Sequence, residues 1–291
     1  MKGNRESFNI RSFAKSRGIT YASARVALTR LQKRHGVLRI GRGEYRPLDQ
    51  EIRAKLERLG SKNEKLLDLT VTLYEKLPHL KMILIFGSQA RGDADDLSDI
   101  DVLVVSDPGM GMRERKRLQR ELSDRLGERV ELKVVSEAQY KKWLMLEPKM
   151  RFWLREGIIF DECGLSREIY PISKIGLLET LNFVALQLEL SKRGGGDAGC
   201  LFIALKELLT LKHALNLNYD TMKLKREMWG LLGKNLCMKL RAISKGKQLK
   251  LSSSETSTLK RAVSKLYPGV VKEVKRLGEN EADLYLRRKV L

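Results

Sequence analysis

The sequence predicts an α+β fold in which a small basic module, a mixed sheet with helices and an α-helical domain follow one another. Three observations carry that expectation. Before residue 35 apolar residues recur at helical spacing, and two short strands follow around Gly41-Arg42-Gly43. Two continuous apolar runs, "MILIF" and "IDVLVV", bracket a turn of small residues. Beyond residue 170 long amphipathic helices replace strands altogether.

A chain of 291 residues with 42% hydrophobic and 32% charged side chains has the size and composition of two or three packed globular domains. The boundaries read as a module over 1–48, a helical linker over 49–65, a sheet domain over 66–165 and a basic α-helical domain over 166–291. No apolar run reaches the roughly 20 residues that span a bilayer, and "MKGNRESFNI" lacks the apolar core of a signal peptide, so a cytoplasmic protein without a membrane partner is expected. Cys163, Cys200 and Cys237 are odd in number and widely spaced, which makes them reduced packing residues. His35, His79 and His213 are isolated and complete no metal site.

Charge is the first functional clue. The net +21 is segregated: residues 1–46 carry twelve Lys/Arg against two acids, residues 206–291 carry twenty against eight, and the segment between them is balanced at twenty-five against twenty-six. Whole basic segments point to a polyanionic partner, with nucleic acid the leading class.

In the first segment Ile10, Phe13 and Ala14 mark a helix that Gly18 ends, and Tyr21-Ala22-Ser23 opens a second, with Ala24, Ala27, Leu28 and Leu31 as its buried stripe. The strands "GVLRIG" and "EYRPL" then form a hairpin with Arg42 at its tip. Together these resemble a winged helix-turn-helix domain. That resemblance implies contacts from Tyr21, Ser23, Arg25 and Arg30 in a major groove and from Arg42 to phosphate or minor groove. Winged helices also dock proteins and RNA, so the fold alone does not decide the partner. From Asp49 to Leu77 the pattern reads as a helix, a break at Gly60-Ser61 and a second helix.

The stretch "LIFGSQARGDADDLSDIDVLVV" holds the chemistry. Residues two apart on a strand share a face, so Asp99 and Asp101 point together at the head of a buried strand, where two carboxylates repel. A hard divalent cation, Mg²⁺ or Mn²⁺, resolves the repulsion and keeps positions open for substrate phosphates. Gly87 permits close backbone approach, Ser88 and the amides of a starting helix can cradle a triphosphate, and Arg91 can neutralise a phosphate. Asp93, Asp95 and Asp96 read as solvated loop charges.

Gly87-Ser88, ten intervening residues and Asp99-x-Asp101 resemble the signature of the DNA polymerase beta superfamily of nucleotidyltransferases, and "GSQARG…SDIDVLVV" looks like its minimal branch. The resemblance covers about 66–162 and implies a small mixed sheet covered by helices, with a third carboxylate on a later strand. Glu131 in "ERVELKVVS" holds that place, although pairing with Lys133 or Arg129 is the alternative reading of the same residue. Phe152 and Trp153 precede a closing strand at Ile158 to Phe160 and read as core rather than base-stacking residues. The implied chemistry is two-metal transfer of a nucleoside monophosphate from a nucleoside triphosphate, ATP or CTP. Asp99, Asp101 and Glu131 would be the catalytic metal ligands, and Gly87, Ser88 and Arg91 would hold the departing pyrophosphate.

Behind this domain, "SKIGLLETLNFVALQLELSK" and "AGCLFIALKELLTLKHALNLN" read as long helices joined by a glycine run that lacks the Gly-Lys-Ser/Thr of a phosphate-binding loop. Ser252-Ser253-Ser254 starts another helix in a basic tail that includes "LYLRRKV" near its end and could track a nucleic-acid backbone. The leading expectation is transfer to an RNA end. The alternatives are AMP transfer to a protein, as in toxin–antitoxin pairs, and a DNA-binding regulator with a nucleotide-sensing core. Homo-oligomerisation stays open, and a cationic aminoglycoside acceptor is disfavoured by the basic flanks.

Overall fold

The computed structural model describes residues 7–34, 36–77, 79–96, 98–168, 170–193 and 197–277. His35, the glycine run at 194–196 and the tail segment "LYLRRKV" lie outside the described residues. The chain divides into two compact units, one of residues 1–89, 99–137 and 158–168, the other of 90–98, 138–157 and 169–291.

The first unit opens with β1 (Phe8–Asn9), α1 (Ile10–Arg17), α2 (Tyr21–Lys33), β2 (Val37–Gly41) and β3 (Glu44–Pro47), the strands forming an antiparallel sheet in the order β1-β3-β2. The local sequence accounts for each boundary. Asn9 and Ser12 exchange hydrogen bonds in a capping box at the head of α1, and Gly18 ends it at φ 61°, a conformation that favours glycine. Thr20 caps α2 by accepting from Ser23 N–H at 3.2 Å. Leu28, Val37 and Tyr45 form the small core between helices and sheet.

Two helices, α3 (Gln50–Gly60) and α4 (Glu64–Lys76), lead into the central sheet. Its strands are β4 (Leu80–Phe86), β5 (Ile100–Ser106), β6 (Val130–Val135) and β7 (Ile158–Asp161), in the order β6-β5-β4-β7. The inner strand β4 runs antiparallel to β5 and β7, whereas β5 and β6 are parallel. Met82 to Ile85 and Val102 to Val105 are wholly buried, as strands covered on both faces require. The short α5 (Gly87–Arg91) follows β4, and α6 (Met112–Leu126) connects β5 to β6. Ser123 and Gln119 of α6 accept from Val130 N–H at 3.0 Å and Leu132 N–H at 3.4 Å, which satisfies two donors on the outer edge of β6.

Helices α7 (Glu137–Leu146) and α8 (Lys149–Glu156) come before β7, and α9 (Lys174–Arg193), α10 (Ala198–Leu215), α11 (Thr221–Leu232), α12 (Lys234–Ser244) and α13 (Ser253–Arg276) follow it. In the second unit α10 is the central helix, with Ala204, Leu205, Leu208, Leu209 and Leu211 fully buried. Phe152 is 5% exposed and meets Tyr219 edge-on at 5.5 Å, which makes it a core residue. A Cβ on Gly176 would stand 2.6 Å from Leu146 Cα, so glycine is needed where the start of α9 crosses the end of α7. Ser252 and Glu255 form a capping box at the head of α13. His213 is buried between Glu227 at 2.9 Å and Asn218 at 3.2 Å, a satisfied core histidine. All three cysteines are free, and burial pushes the Cys237 thiol up to about 11, which leaves it an inert packing group. No helix among the described residues is long and apolar enough to cross a membrane.

Candidate active site

The site is built where β4 ends and β5 begins. Register places Phe86 beside Asp101 and Asp101 beside Glu131, and directly paired residues of adjacent strands project to the same face. Asp101 and Glu131 therefore stand next to each other across the parallel β5–β6 pair. Asp99 lies one residue before β5 and is only 7% exposed. Its Oδ1 is 3.9 Å from Arg129 Nε, and the neighbouring Ile100 N–H donates to Arg129 C=O at 2.8 Å.

Gly87 closes the arrangement from the β4 side. It has φ +77°, and a Cβ there would run into Asp101 Oδ2. Any side chain would be strained by the backbone and would also displace the carboxylate, so this glycine fixes how close the turn comes to Asp101. Ser88 follows in α5, partly exposed, and its hydroxyl has no hydrogen-bond partner among the described residues. Gln89 anchors α5 through Glu128, donating at 3.0 Å, while Lys65 of α4 pairs with the same carboxylate.

Glu131 and Arg91 are both already engaged. Lys133, two residues further along β6, pairs with Glu131, and its ammonium lies 6.0 Å over the Phe86 ring. A lysine thus supplies the positive charge beside Glu131. Arg91 belongs to the second unit, where it pairs with Asp93 at 3.2 Å and Glu156 at 3.4 Å.

Asp93, Asp95 and Asp96 are exposed, as solvated loop charges would be, but two of them also hold ion pairs. Lys225 pairs with Asp93, and Arg241 pairs with Asp95 at 2.8 Å and donates to Ser98 Oγ at 3.0 Å. Burial pushes the Asp93 carboxyl up, but Lys225 and Arg91 outweigh it and hold the group below the usual carboxylate range. Nothing local in the sequence signals these pairs, because Lys225 and Arg241 lie far along the chain.

Among the described residues, no three carboxylate, imidazole or thiol groups converge into a ready-made metal cage. Asp101, with Gly87 pressed against it, and Asp99 two residues earlier still offer the hard oxygen donors that a dication takes. Mg²⁺ commonly binds through one or two carboxylates and completes its shell with water and substrate phosphate.

On the basic module, Tyr21 is 53% exposed, and Arg25, Arg30 and Arg42 are exposed at the helix surface and hairpin tip. Ser23 is committed to the cap of α2, its Oγ accepting from Thr20 Oγ1 at 2.9 Å. The outward face of α2 further includes Val26, Thr29 and Lys33, which with Arg25 and Arg30 line a shallow depression of about 320 Å³.

Residues 68–145 match the family described as polymerase beta nucleotidyltransferase. The matched stretch contains Gly87, Ser88, Asp99, Asp101 and Glu131, and it identifies a nucleotidyltransferase domain of the polymerase beta superfamily within this chain. The protein is a nucleotidyltransferase, an enzyme that transfers a nucleoside monophosphate from a nucleoside triphosphate. A solved chain described as "Crystal structure of the toxin-antitoxin with AMP-PNP" is similar over 45% of this chain and 91% of its own, at 19% identity and a TM-score of 0.26. That likeness is too remote to bear on substrate. Comparison with curated proteins gave no match.

Proposed function

We propose that the enzyme transfers a nucleoside monophosphate to the terminal hydroxyl of an RNA. The observation that carries the site is the Asp101–Glu131 register pair with Gly87 pressed against Asp101. In the reaction the acceptor oxygen bonds to the α-phosphorus, the α–β phosphoanhydride bond breaks, and pyrophosphate departs. Asp99 and Asp101 would hold Mg²⁺ or Mn²⁺, which would neutralise the phosphate oxygens. Glu131 would exchange Lys133 for the metal and accept the proton of the attacking hydroxyl. Ser88 and the first amides of α5 would orient the departing phosphates, and Arg91, the last residue of α5, is the proposed cation for a phosphate oxygen. ATP and CTP are the proposed donors.

The nucleic-acid acceptor is supported by the segregated basic segments and by residues 7–47, whose order β1-α1-α2-β2-β3 suits a winged helix-turn-helix. Tyr21, Arg25, Arg30 and Arg42 would make its contacts, with Ser23 restricted to holding α2 in place. The test is incubation of the full chain with Mg²⁺, labelled NTPs and total RNA. Label on RNA termini is expected. Label on polypeptide alone would overturn the RNA acceptor in favour of protein modification, and selective duplex binding without turnover would favour a regulator.

A further inference from the structure

The balanced charge of the middle segment conceals a helix whose charges are sorted by face. In α6, Arg113, Lys116, Arg117 and Arg120 follow i, i+3, i+4, i+7 spacing, and all four are exposed. They form one stripe directed away from the buried Leu118, Leu122 and Leu126. None of the four has a hydrogen bond or ion pair among the described residues. The neighbouring flank of α6 instead turns toward α4, where Glu121 meets Lys76 at 2.6 Å and Arg125 donates to Asp68 at 2.7 Å. Asp124 stands at the C-terminal end of the stripe, and Glu114 lies on the acidic flank.

Isolated helix stability does not explain such an arrangement. Like charges at i, i+3 and i, i+4 repel; Glu114 in the first turn, Glu121 and Asp124 offset this only around Arg117 and Arg120, leaving Arg113 and Lys116 without an acid at such spacing. Gly111, the residue before α6, supplies no side-chain cap to offset this. A polyanion lying along the face would relieve the repulsion.

We propose that this stripe binds the phosphate backbone of the acceptor RNA and guides its end toward the carboxylates. This inference rests on the nucleic-acid reading of the acceptor and extends it to a surface outside both basic segments. Topology supports the direction: α6 joins two parallel strands, so it runs back along them, and its C-terminal end returns to the sheet end bearing Asp101 and Glu131. Arg129, 70% exposed and near Asp99, continues the positive path there. The four positions span about 10 Å of helix, on the order of three nucleotide rises along one strand. Three arginines suit bidentate phosphate contact. The stripe carries no aromatic or aliphatic side chain, which favours backbone contact over base stacking or membrane insertion.

The test measures binding of a 5′-labelled single-stranded RNA by the full chain between about 50 and 200 mM salt. The variant combines Arg113→Gln, Lys116→Gln, Arg117→Gln and Arg120→Gln, since glutamine keeps helix propensity. The slope of log affinity against log salt is expected to shrink by about 3, near 0.7 per lost phosphate contact. Each single substitution is expected to shrink it by roughly 0.7, which keeps the test valid if the combined variant does not fold. An unchanged slope overturns the stripe, as does loss of binding to phosphatidylserine vesicles without loss of RNA binding. The catalytic reading fails separately, if the wild-type chain gives no RNA label that depends on Asp101.

Discussion

Replacing Asp101 with asparagine is expected to lower nucleotidyl transfer by roughly 10²–10³-fold or more, the scale seen when a group that stabilises transition-state charge is removed. Asparagine keeps the shape of the side chain but loses the negative charge that faces Gly87 and lies beside Glu131 in the β5–β6 register. The measurement is the rate of label transfer from NTP to RNA at saturating Mg²⁺. Manganese binding, followed by electron paramagnetic resonance, should weaken in parallel. The melting temperature should change little, because asparagine keeps the size and shape of the side chain. A variant that folds, binds manganese normally and transfers label at the parental rate would remove Asp101 from the chemistry.

Gly87→Ala is the second large effect, and it separates geometry from charge. The substitution leaves every ionisable group in place, yet its methyl group would enter the space of Asp101 Oδ2. On the proposed role of Asp101, displacing its carboxylate by about 1 Å is expected to reduce transfer by roughly 10²-fold. The left-handed backbone at φ +77° adds about 1–2 kcal/mol of strain. Gly92→Ala is the matched control, since Gly92 has φ +75° and nothing within 4 Å of its would-be Cβ. It should lose similar stability, measured by chemical denaturation, while transfer falls far less. Equal losses of transfer in both variants would attribute the effect to backbone strain alone.

How far the sequence foretold this site depends on the range of the interactions involved. The two apolar runs mark strands β4 and β5, and the turn that sets Gly87 against Asp101 is legible between them. Glu131 was harder to place. Its register beside Asp101 comes from β5–β6 pairing, and local sequence offered Lys133 and Arg129 as equal partners; in the structure Lys133 pairs with Glu131 while Arg129 approaches Asp99. The ion pairs of the exposed Asp93 and Asp95 are not legible, because their partners, Lys225 and Arg241, are more than a hundred residues away. The α6 stripe was hidden for a different reason, since a segment's net charge averages over faces that a helix separates. In the helical domain, α9, α10 and the capping box of α13 carried clear patterns, whereas α11 and α12 were not resolved as separate helices within the basic stretch.

The most direct measurement is a crystal structure of the full chain with Mn²⁺ and a nonhydrolysable NTP, using manganese anomalous scattering to locate the ion. The predicted result is a manganese peak within about 2.2 Å of carboxylate oxygens from both Asp99 and Asp101, with the triphosphate against Gly87 and Ser88 and Glu131 turned away from Lys133. A bound nucleotide with no manganese at these aspartates, or with its phosphates held elsewhere on the chain, would contradict the account.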